Sequence, residues 1–163
     1  MKELLVIRHG KAERPKPDTT DFERNLVDKG RADSKIVADQ IKLLDWIPEE
    51  IVASSANRAK ETAIAMQSVW GAEVVEIRFE PSIYLADYST LIHLIGQLDD
   101  NYERIALYGH NPGFSDLVSG LSNEPIWLAT ASCALLRFDV DSWMEVFTST
   151  GTLVEVIVAK EIR

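Results

Sequence analysis

Leu4-Leu5-Val6-Ile7-Arg8-His9-Gly10 is the stretch of this 163-residue sequence that decides the fold. It begins with four consecutive apolar residues, two of them β-branched, and then runs straight into polar residues and a glycine. Such a run is typical of a strand that is buried on both faces, as the strands of parallel sheets are. Because a strand of this kind needs cover on both sides, the stretch predicts a layered α/β fold.

The chain beyond this strand alternates between strand-like and helix-like patterns. Further strands are predicted at 51–54, 74–79 and 104–109, and Pro81 is expected to end the second of these. Helices are predicted at 29–45, from a cap at Ser55 or Asn57 to about Trp70, at 88–98 and at 114–121. Residues 14–27 are polar and contain two prolines, so they predict a loop.

The C-terminal part predicts three more strands, at 132–139, 143–148 and 152–159. The last two are expected to form a hairpin around Ser149-Thr150-Gly151. The predicted architecture is therefore a three-layer α/β/α fold with a largely parallel sheet and antiparallel C-terminal strands. The length, with no linker and no repeat, predicts one domain over residues 1–163.

The composition excludes several classes of function. Seventeen basic against 26 acidic residues give a net charge of −9, which argues against a partner such as nucleic acid or an anionic membrane. The single cysteine, Cys133, fits a reducing compartment, and the longest uncharged run has twelve residues, too few for a membrane span of about 18. We therefore expect a cytoplasmic protein that binds neither nucleic acid nor membranes.

Three predicted strands end in residues that carry chemistry. Arg8-His9-Gly10, the segment 54–63 with Arg58, and Gly109-His110-Asn111-Pro112-Gly113 each follow a strand. Because ligands bind outside the carboxyl ends of parallel strands, two arginines and two histidines are expected to converge at one sheet edge. Guanidinium groups match phosphate oxygens, and nearby positive charge keeps an imidazole neutral and nucleophilic. The residues thus predict phosphoryl transfer through a phosphohistidine on His9 or His110.

The three motifs, in this order and spacing, resemble those of the histidine phosphatase superfamily. The motifs are Arg8-His9-Gly10, the pattern Ser-Ser-x-x-x-Arg-Ala-x-x-Thr-Ala that ends at Ala63, and Gly109-His110-Asn-Pro. The short chain and its Arg-His-Gly-Lys-Ala start are similar to the small bacterial phosphohistidine phosphatases that act on phosphorelay proteins. The resemblance implies a phosphoglycerate mutase-like fold.

The resemblance also implies a role for individual residues. His9 corresponds to the nucleophile that becomes phosphorylated, Arg8 and Arg58 to the phosphate clamp, and His110 to the second histidine, which stabilises the phosphoryl charge. Arg24 and Asn111 are expected to be further phosphate-binding residues. The loop after Arg24 departs from the family pattern, because Val27 stands where a threonine is usual.

The general acid that protonates the leaving group is left open between two carboxylates. The candidates are Glu80 and Asp87, and Asp87 is favoured because it follows a Tyr-Leu-Ala stretch and is expected in a loop. A phosphoramidate leaves readily once its nitrogen is protonated, so a reaction without a dedicated acid is the third alternative.

The spacing between motifs bears on the substrate. Only 52 positions separate Arg58 from His110, too few for the helical lid of the sugar-phosphate mutases in this superfamily. An open pocket suits a phosphorylated protein side chain, for example on a histidine phosphotransfer domain. A small phosphomonoester substrate and a weakly catalytic phospho-ligand binding module are the alternatives. No His-x-His or His-Glu-x-x-His spacing occurs, so we expect neither metal nor cofactor.

Overall fold

The computed structural model describes residues 1–71 and 76–162. Its six strands are β1 (Lys2–Arg8), β2 (Glu50–Ser54), β3 (Ile77–Glu80), β4 (Arg104–Gly109), β5 (Cys133–Phe138) and β6 (Thr152–Ile157). Its α-helices are α1 (Asp28–Leu43), α2 (Asn57–Trp70), α3 (Tyr88–Gly96), α4 (Gly113–Ser122) and α5 (Ala159–Ile162). The predicted positions 74 and 75 of the third strand lie outside the described residues.

One six-stranded sheet runs through the molecule in the order β3-β2-β4-β1-β5-β6. The first four strands in this order pair in parallel, and β5 and β6 pair antiparallel. The largely parallel sheet with antiparallel C-terminal strands is therefore confirmed. The carboxyl ends of β2, β4 and β1 lie side by side at one edge, which is where the predicted motifs begin.

The apolar run of β1 divides its side chains between two cores. Leu4 and Val6 pack with α3 and α4 on one face of the sheet, and Leu5 and Ile7 pack with α1, α2 and α5 on the other. All four side chains are at most 1% exposed. Residues that alternate in a strand point to opposite faces, so an unbroken apolar run is what a sheet between two helical layers requires.

The predicted strand at 143–148 is wrong, and so is its hairpin with 152–159. Trp143–Thr148 is a 3₁₀ helix that begins at the Ser142 cap, and β6 pairs with β5 instead. The buried positions in this segment are Trp143 and Val146, three residues apart. That spacing matches three residues per turn and not the two-residue repeat of a strand.

Two further expectations are corrected at helix starts. The cap of α2 is Ala56, not Ser55 or Asn57, and it makes no side-chain capping bond. The predicted loop 14–27 contains a 3₁₀ turn at Asp21–Glu23. An isolated antiparallel bridge joins Leu26, near the end of this loop, to Ala12, just before its start. Pro81 does end β3, where it begins a second 3₁₀ turn.

Across residues 1–71 and 76–162, no helix combines the length and the apolar character that crossing a bilayer demands.

Candidate active site

The strand ends bring the predicted histidines together. His9 follows β1, His110 follows β4, and Ser54 ends β2, the strand on the other side of β4. The two imidazole centroids lie 5.3 Å apart. Arg58 is in the first turn of α2, which follows β2. We call Arg8, His9, Ser54, Arg58 and His110 the strand-end cluster.

The backbone fixes the orientation and the tautomer of His9. Its main chain bonds to Gly109 on one side and to Ala131 on the other. Its Nδ1 lies 2.7 Å from the carbonyl oxygen of Gly10. A carbonyl only accepts, so Nδ1 carries the proton and Nε2 keeps its lone pair. Burial, together with the charges of Arg58 and Arg8, lowers the pKa of His9 to about 4. A pKa this low leaves His9 neutral at pH 7, and a neutral imidazole is the form that the predicted nucleophile needs.

Gly10 is required by helix packing. A Cβ at Gly10 would lie 2.8 Å from the carbonyl oxygen of Gly30 in α1, and one at Gly30 would meet the backbone of Lys11. The two glycines let the segment after His9 lie directly on the helix. The Gly10 amide donates to the Thr62 hydroxyl at 2.9 Å, which ties this segment to α2 as well.

Arg58 joins the nucleophile to the surrounding loop. Its Nε donates to His9 Nε2 at 3.3 Å, and its two terminal nitrogens donate to the Asp21 carbonyl and carboxylate at 2.7 and 3.0 Å. The residue is 4% exposed. The side chain predicted to clamp a phosphoryl group thus reaches Nε2 of His9, the nitrogen that keeps its lone pair.

Ser54 is the hydrogen-bond partner of His110. The Ser54 hydroxyl lies 2.8 Å from His110 Nε2 and accepts a bond from the Ala56 amide at 3.3 Å. When the hydroxyl donates its proton to Nε2, the proton of the neutral ring lies on Nδ1. Burial, with a smaller effect of neighbouring charge, lowers the pKa of His110 to about 3. Ser54 belonged to a predicted motif, but the sequence assigned it no role.

Two nitrogens in the strand-end cluster are buried without a hydrogen-bond partner. They are Arg8 Nε and His110 Nδ1, and the only other such side-chain atom among the described residues, Trp46 Nε1, lies near Arg104, at the opposite edge of the sheet. Buried polar groups are normally satisfied, so two unsatisfied nitrogens beside His9 indicate a site for a ligand. Oxygens of a bound phosphoryl group would satisfy both.

Arg8 and Asn111 meet at one backbone carbonyl. A terminal nitrogen of Arg8 donates a hydrogen bond to the Leu128 carbonyl oxygen at 3.1 Å, and the side-chain amide nitrogen of Asn111 donates to the same oxygen at 2.8 Å. The Asn111 side-chain oxygen also accepts from Ser115, so both ends of this amide hold α4 and the 128 loop together. These contacts give Asn111 a structural task, and phosphate binding by it stays a prediction.

Beside the strand-end cluster lies a group of residues that the sequence did not identify, apart from Arg24. We call Asp21, Phe22, Arg24 and Tyr84 the loop cluster. The Asp21 carboxylate accepts from Arg58, from Arg24 at 2.9 Å and from the Tyr84 hydroxyl at 2.6 Å. These donors, Tyr84 first, hold the pKa of Asp21 well below its usual range. The Tyr84 ring lies edge-on to His110, with centroids 5.5 Å apart. Tyr84 was visible only as part of a Tyr-Leu-Ala stretch.

The two candidate general acids both act as helix caps. Asp87 accepts from the Thr90 amide at the start of α3, and Glu80 accepts from Ser82 and pairs with Arg78. The capping bonds hold the pKa of Asp87 below its ordinary value. No hydrogen bond joins either carboxylate to the strand-end cluster within the described parts of the chain, so the role of Asp87 as an acid stays a prediction.

Comparison with known proteins agrees with the geometry. Residues 4–83 match the model of the histidine phosphatase superfamily (branch 1). An uncharacterized chloroplastic protein of Arabidopsis thaliana is 32% identical over 158 residues, covering 92% of this chain and 72% of that protein. The chain belongs to the histidine phosphatase superfamily. His9, Arg58 and the motifs around them thus lie in the family context that the sequence predicted.

Solved structures of the superfamily share the whole fold. A provisionally assigned phosphohistidine phosphatase SixA from Agrobacterium tumefaciens aligns with TM-score 0.82 at 24% identity, over 96% of this chain and 97% of that one. The protein histidine phosphatase SixA complexed with tungstate aligns with TM-score 0.82 at 18% identity, over 99% of both chains. A mycobacterial glucosyl-3-phosphoglycerate phosphatase complexed with VO3 aligns with TM-score 0.72 at 15% identity, over 95% and 98%.

The described residues include no group of three or more histidine, cysteine or acidic side chains arranged to hold a metal ion.

Proposed function

We propose that this chain hydrolyses phosphohistidine on a protein through a phosphorylated His9. Membership of the histidine phosphatase superfamily supports phosphatase chemistry in general. The observation that carries the proposal is the pair of unsatisfied nitrogens, Arg8 Nε and His110 Nδ1, beside the lone pair of His9 Nε2. This set provides a nucleophile and donors for the phosphoryl oxygens, which are the parts that phosphoryl transfer requires.

In the first step His9 Nε2 attacks phosphorus. The bond from Nε2 to phosphorus forms as the bond from phosphorus to the leaving nitrogen breaks, and that nitrogen keeps the electron pair. Arg58 Nε, which bonds to Nε2 in the free enzyme, shifts to a phosphoryl oxygen, and Arg8 and His110 donate to the other oxygens. Arg8 Nε and His110 Nδ1 have no other partner to give up, so only Arg58 Nε changes its hydrogen bond and little reorganisation is required.

In the second step water attacks the phosphorus of phospho-His9. The bond from the water oxygen to phosphorus forms as the bond from phosphorus to Nε2 breaks, and Nε2 recovers its electron pair. The products are inorganic phosphate and neutral His9, whose Nδ1 keeps its proton throughout and donates it in a hydrogen bond to the Gly10 carbonyl. Both steps rely on the same donors, because the phosphoryl group remains in the same place.

A protein substrate fits the elements between Arg58 and His110. In the described residues of that interval, all helices and strands belong to the sheet or pack on it, and none is a helical lid. The neighbouring SixA structures are of enzymes named for phosphohistidine, which agrees with this substrate. An open site admits a phosphorylated side chain that is attached to a domain.

The test is turnover of a phosphorylated histidine phosphotransfer domain, followed by trapping of an acid-labile phosphoenzyme. We expect wild type and His93→Ala to form it, since His93 is an exposed histidine of α3, and His9→Ala to form none. Vanadate should inhibit. Normal turnover by His9→Ala would refute the mechanism. A far higher kcat/KM on small phosphomonoesters than on the phosphoprotein would refute the protein substrate, and vanadate binding without any turnover would indicate a binding module.

A further inference from the structure

Asp21 holds an ionised carboxylate next to the arginine of the site. Its Oδ2 accepts from Arg58 and from Tyr84, and within the described residues its Oδ1 accepts only from Arg24. A carboxylate has about four positions that accept hydrogen bonds. One position on Oδ1 therefore remains, on a side chain that is 46% exposed to solvent.

The Asp21 carboxylate affects the balance of charge around the phosphoryl site. Three guanidinium groups, those of Arg8, Arg24 and Arg58, lie close enough to His9 to act on its charge. A phosphoryl group brings about two negative charges. Without Asp21 the loaded site would carry an excess positive charge, which would repel a positively charged leaving group. The Asp21 carboxylate, which pairs with both Arg24 and Arg58, offsets part of this positive charge.

Tyr84 connects this carboxylate to the reacting centre. Its hydroxyl donates to Asp21 at 2.6 Å, and its ring lies against His110 and within 5.9 Å of the Arg58 guanidinium. Phe22 packs edge-on to the same ring, with centroids 5.0 Å apart. Asp21 is thus held at a fixed place beside the phosphoryl-binding side chains although it belongs to a loop.

We propose that Asp21 selects the leaving group by accepting a hydrogen bond from the N–H of a protonated phosphoimidazole ring and by repelling anionic leaving groups. This inference rests on the proposed function and specifies its substrate class. The ring enters with its distal nitrogen protonated. As the bond from phosphorus to nitrogen breaks, the electron pair moves to the leaving nitrogen, and the proton stays on the distal one. Neutral imidazole leaves, and Asp21 is not itself protonated.

The experiment compares two small substrates of similar shape, N-phosphoimidazole and phenyl phosphate, on the full chain. The quantity measured is the ratio of their kcat/KM values. For Asp21→Asn we expect this ratio to fall by about tenfold or more, because a charge-assisted hydrogen bond is lost with only one substrate. Asp18→Asn, which removes the same charge from an exposed residue of the same loop, should leave the ratio unchanged.

A second variant tests the inference from the opposite direction. Arg24→Gln removes a positive charge and the donor on Oδ1, so the ratio should rise even if both rates fall. Equal losses for both substrates in Asp21→Asn would overturn the inference, because Asp21 would then only position Arg58. Equal gains would overturn it as well, because Asp21 would then only compete with phosphate. Either result would leave intact a wild type that turns over phosphoimidazole through His9, whereas absence of that turnover would refute the proposed function itself.

Discussion

The strand-end cluster and the loop cluster meet at Arg58 and are built in opposite ways. In the strand-end cluster the sheet fixes the backbone, and His9, Arg58 and His110 are 9%, 4% and 4% exposed. In the loop cluster side-chain bonds fix the position, and Asp21 remains 46% exposed. The first arrangement lowers the pKa of both histidines by burial, and the second keeps a carboxylate ionised by hydrogen bonds.

This difference matches two separate demands of the proposed reaction. A nucleophile must be neutral and its donors must be fixed, which burial among strand ends provides. Recognition of a leaving group needs a charge that solvent and substrate both reach, which an exposed loop provides. The comparison predicts that changes in the strand-end cluster alter rate on every substrate and that changes in the loop cluster alter preference between substrates.

Replacing Arg58 should have the largest effect, because it belongs to the strand-end cluster and also holds the loop cluster. We expect Arg58→Ala to lower kcat/KM by about 10²- to 10³-fold on all substrates, the loss typical of one transition-state donor. The measurement is steady-state kinetics with phosphoimidazole and phenyl phosphate, with circular dichroism to verify folding. Arg78→Ala, an exposed arginine of β3, is the matched control. A loss below about tenfold would mean that Arg58 is not the principal clamp.

The pH dependence of stability tests whether the histidines are buried as neutral groups. The unfolded chain binds a proton on His9 near pH 6.5, and the folded chain binds it only near pH 4. The unfolded state therefore holds more protons in this window, and stability falls as the pH falls from about 6.5 towards 4. Each such histidine contributes up to about 1.4 kcal/mol per pH unit.

Urea unfolding at pH 7, 6 and 5 measures this slope. His9→Ala removes one titrating group, so its free energy of unfolding should depend less steeply on pH than that of wild type. Identical slopes in the two proteins would contradict the burial of a neutral His9 and would remove the contrast between the clusters.

Topology explains why the sequence predicted the strand-end cluster well. His9 and His110 each follow an apolar run that the sequence identifies as a strand and whose last residue it locates. The second of these strands, β4, has the predicted bounds, Arg104–Gly109. Parallel strands bring such ends to one edge without further information. The same reasoning failed at Trp143–Thr148, because apolar residues at 143, 144, 146 and 147 fit several periods, and only the packing of Trp143 distinguishes them.

Apart from Arg24, the loop cluster escaped prediction because the contacts that join it to the site are distant in sequence. Asp21 meets Arg58 across 37 positions and Tyr84 across 63, and neither strand nor helix periodicity links these residues. Asp21 is one of 26 acidic residues in the chain, so its charge alone does not single it out. Its importance depends on which donors surround it, and that is a property of the folded loop.

Ser54→Ala should separate the setting of a tautomer from general packing within the strand-end cluster. Without the hydroxyl, nothing in the described contacts holds the proton of His110 on Nδ1, so we expect kcat to fall by about tenfold on both substrates. Ser55→Ala, one residue further along and half-buried, is the control. An unchanged kcat in Ser54→Ala would mean that His110 finds its tautomer without Ser54.

The smallest effect is expected at Val27, where the loop cluster's segment joins α1. Val27 is the N-cap of α1 and makes no side-chain capping bond, although its backbone has the extended conformation of a cap. Threonine has nearly the same shape and supplies the missing acceptor, so Val27→Thr should raise the free energy of unfolding by about 1 kcal/mol. Val27→Ala is the matched variant without an acceptor and should give no gain.

Kinetics should be unchanged in Val27→Thr, because the loop is held at the site by Asp21 and Arg58 and not by the first turn of α1. A change in the ratio of phosphoimidazole to phenyl phosphate turnover would show that the stability of α1 reaches the loop cluster, and the two clusters would then be less independent than their contacts indicate.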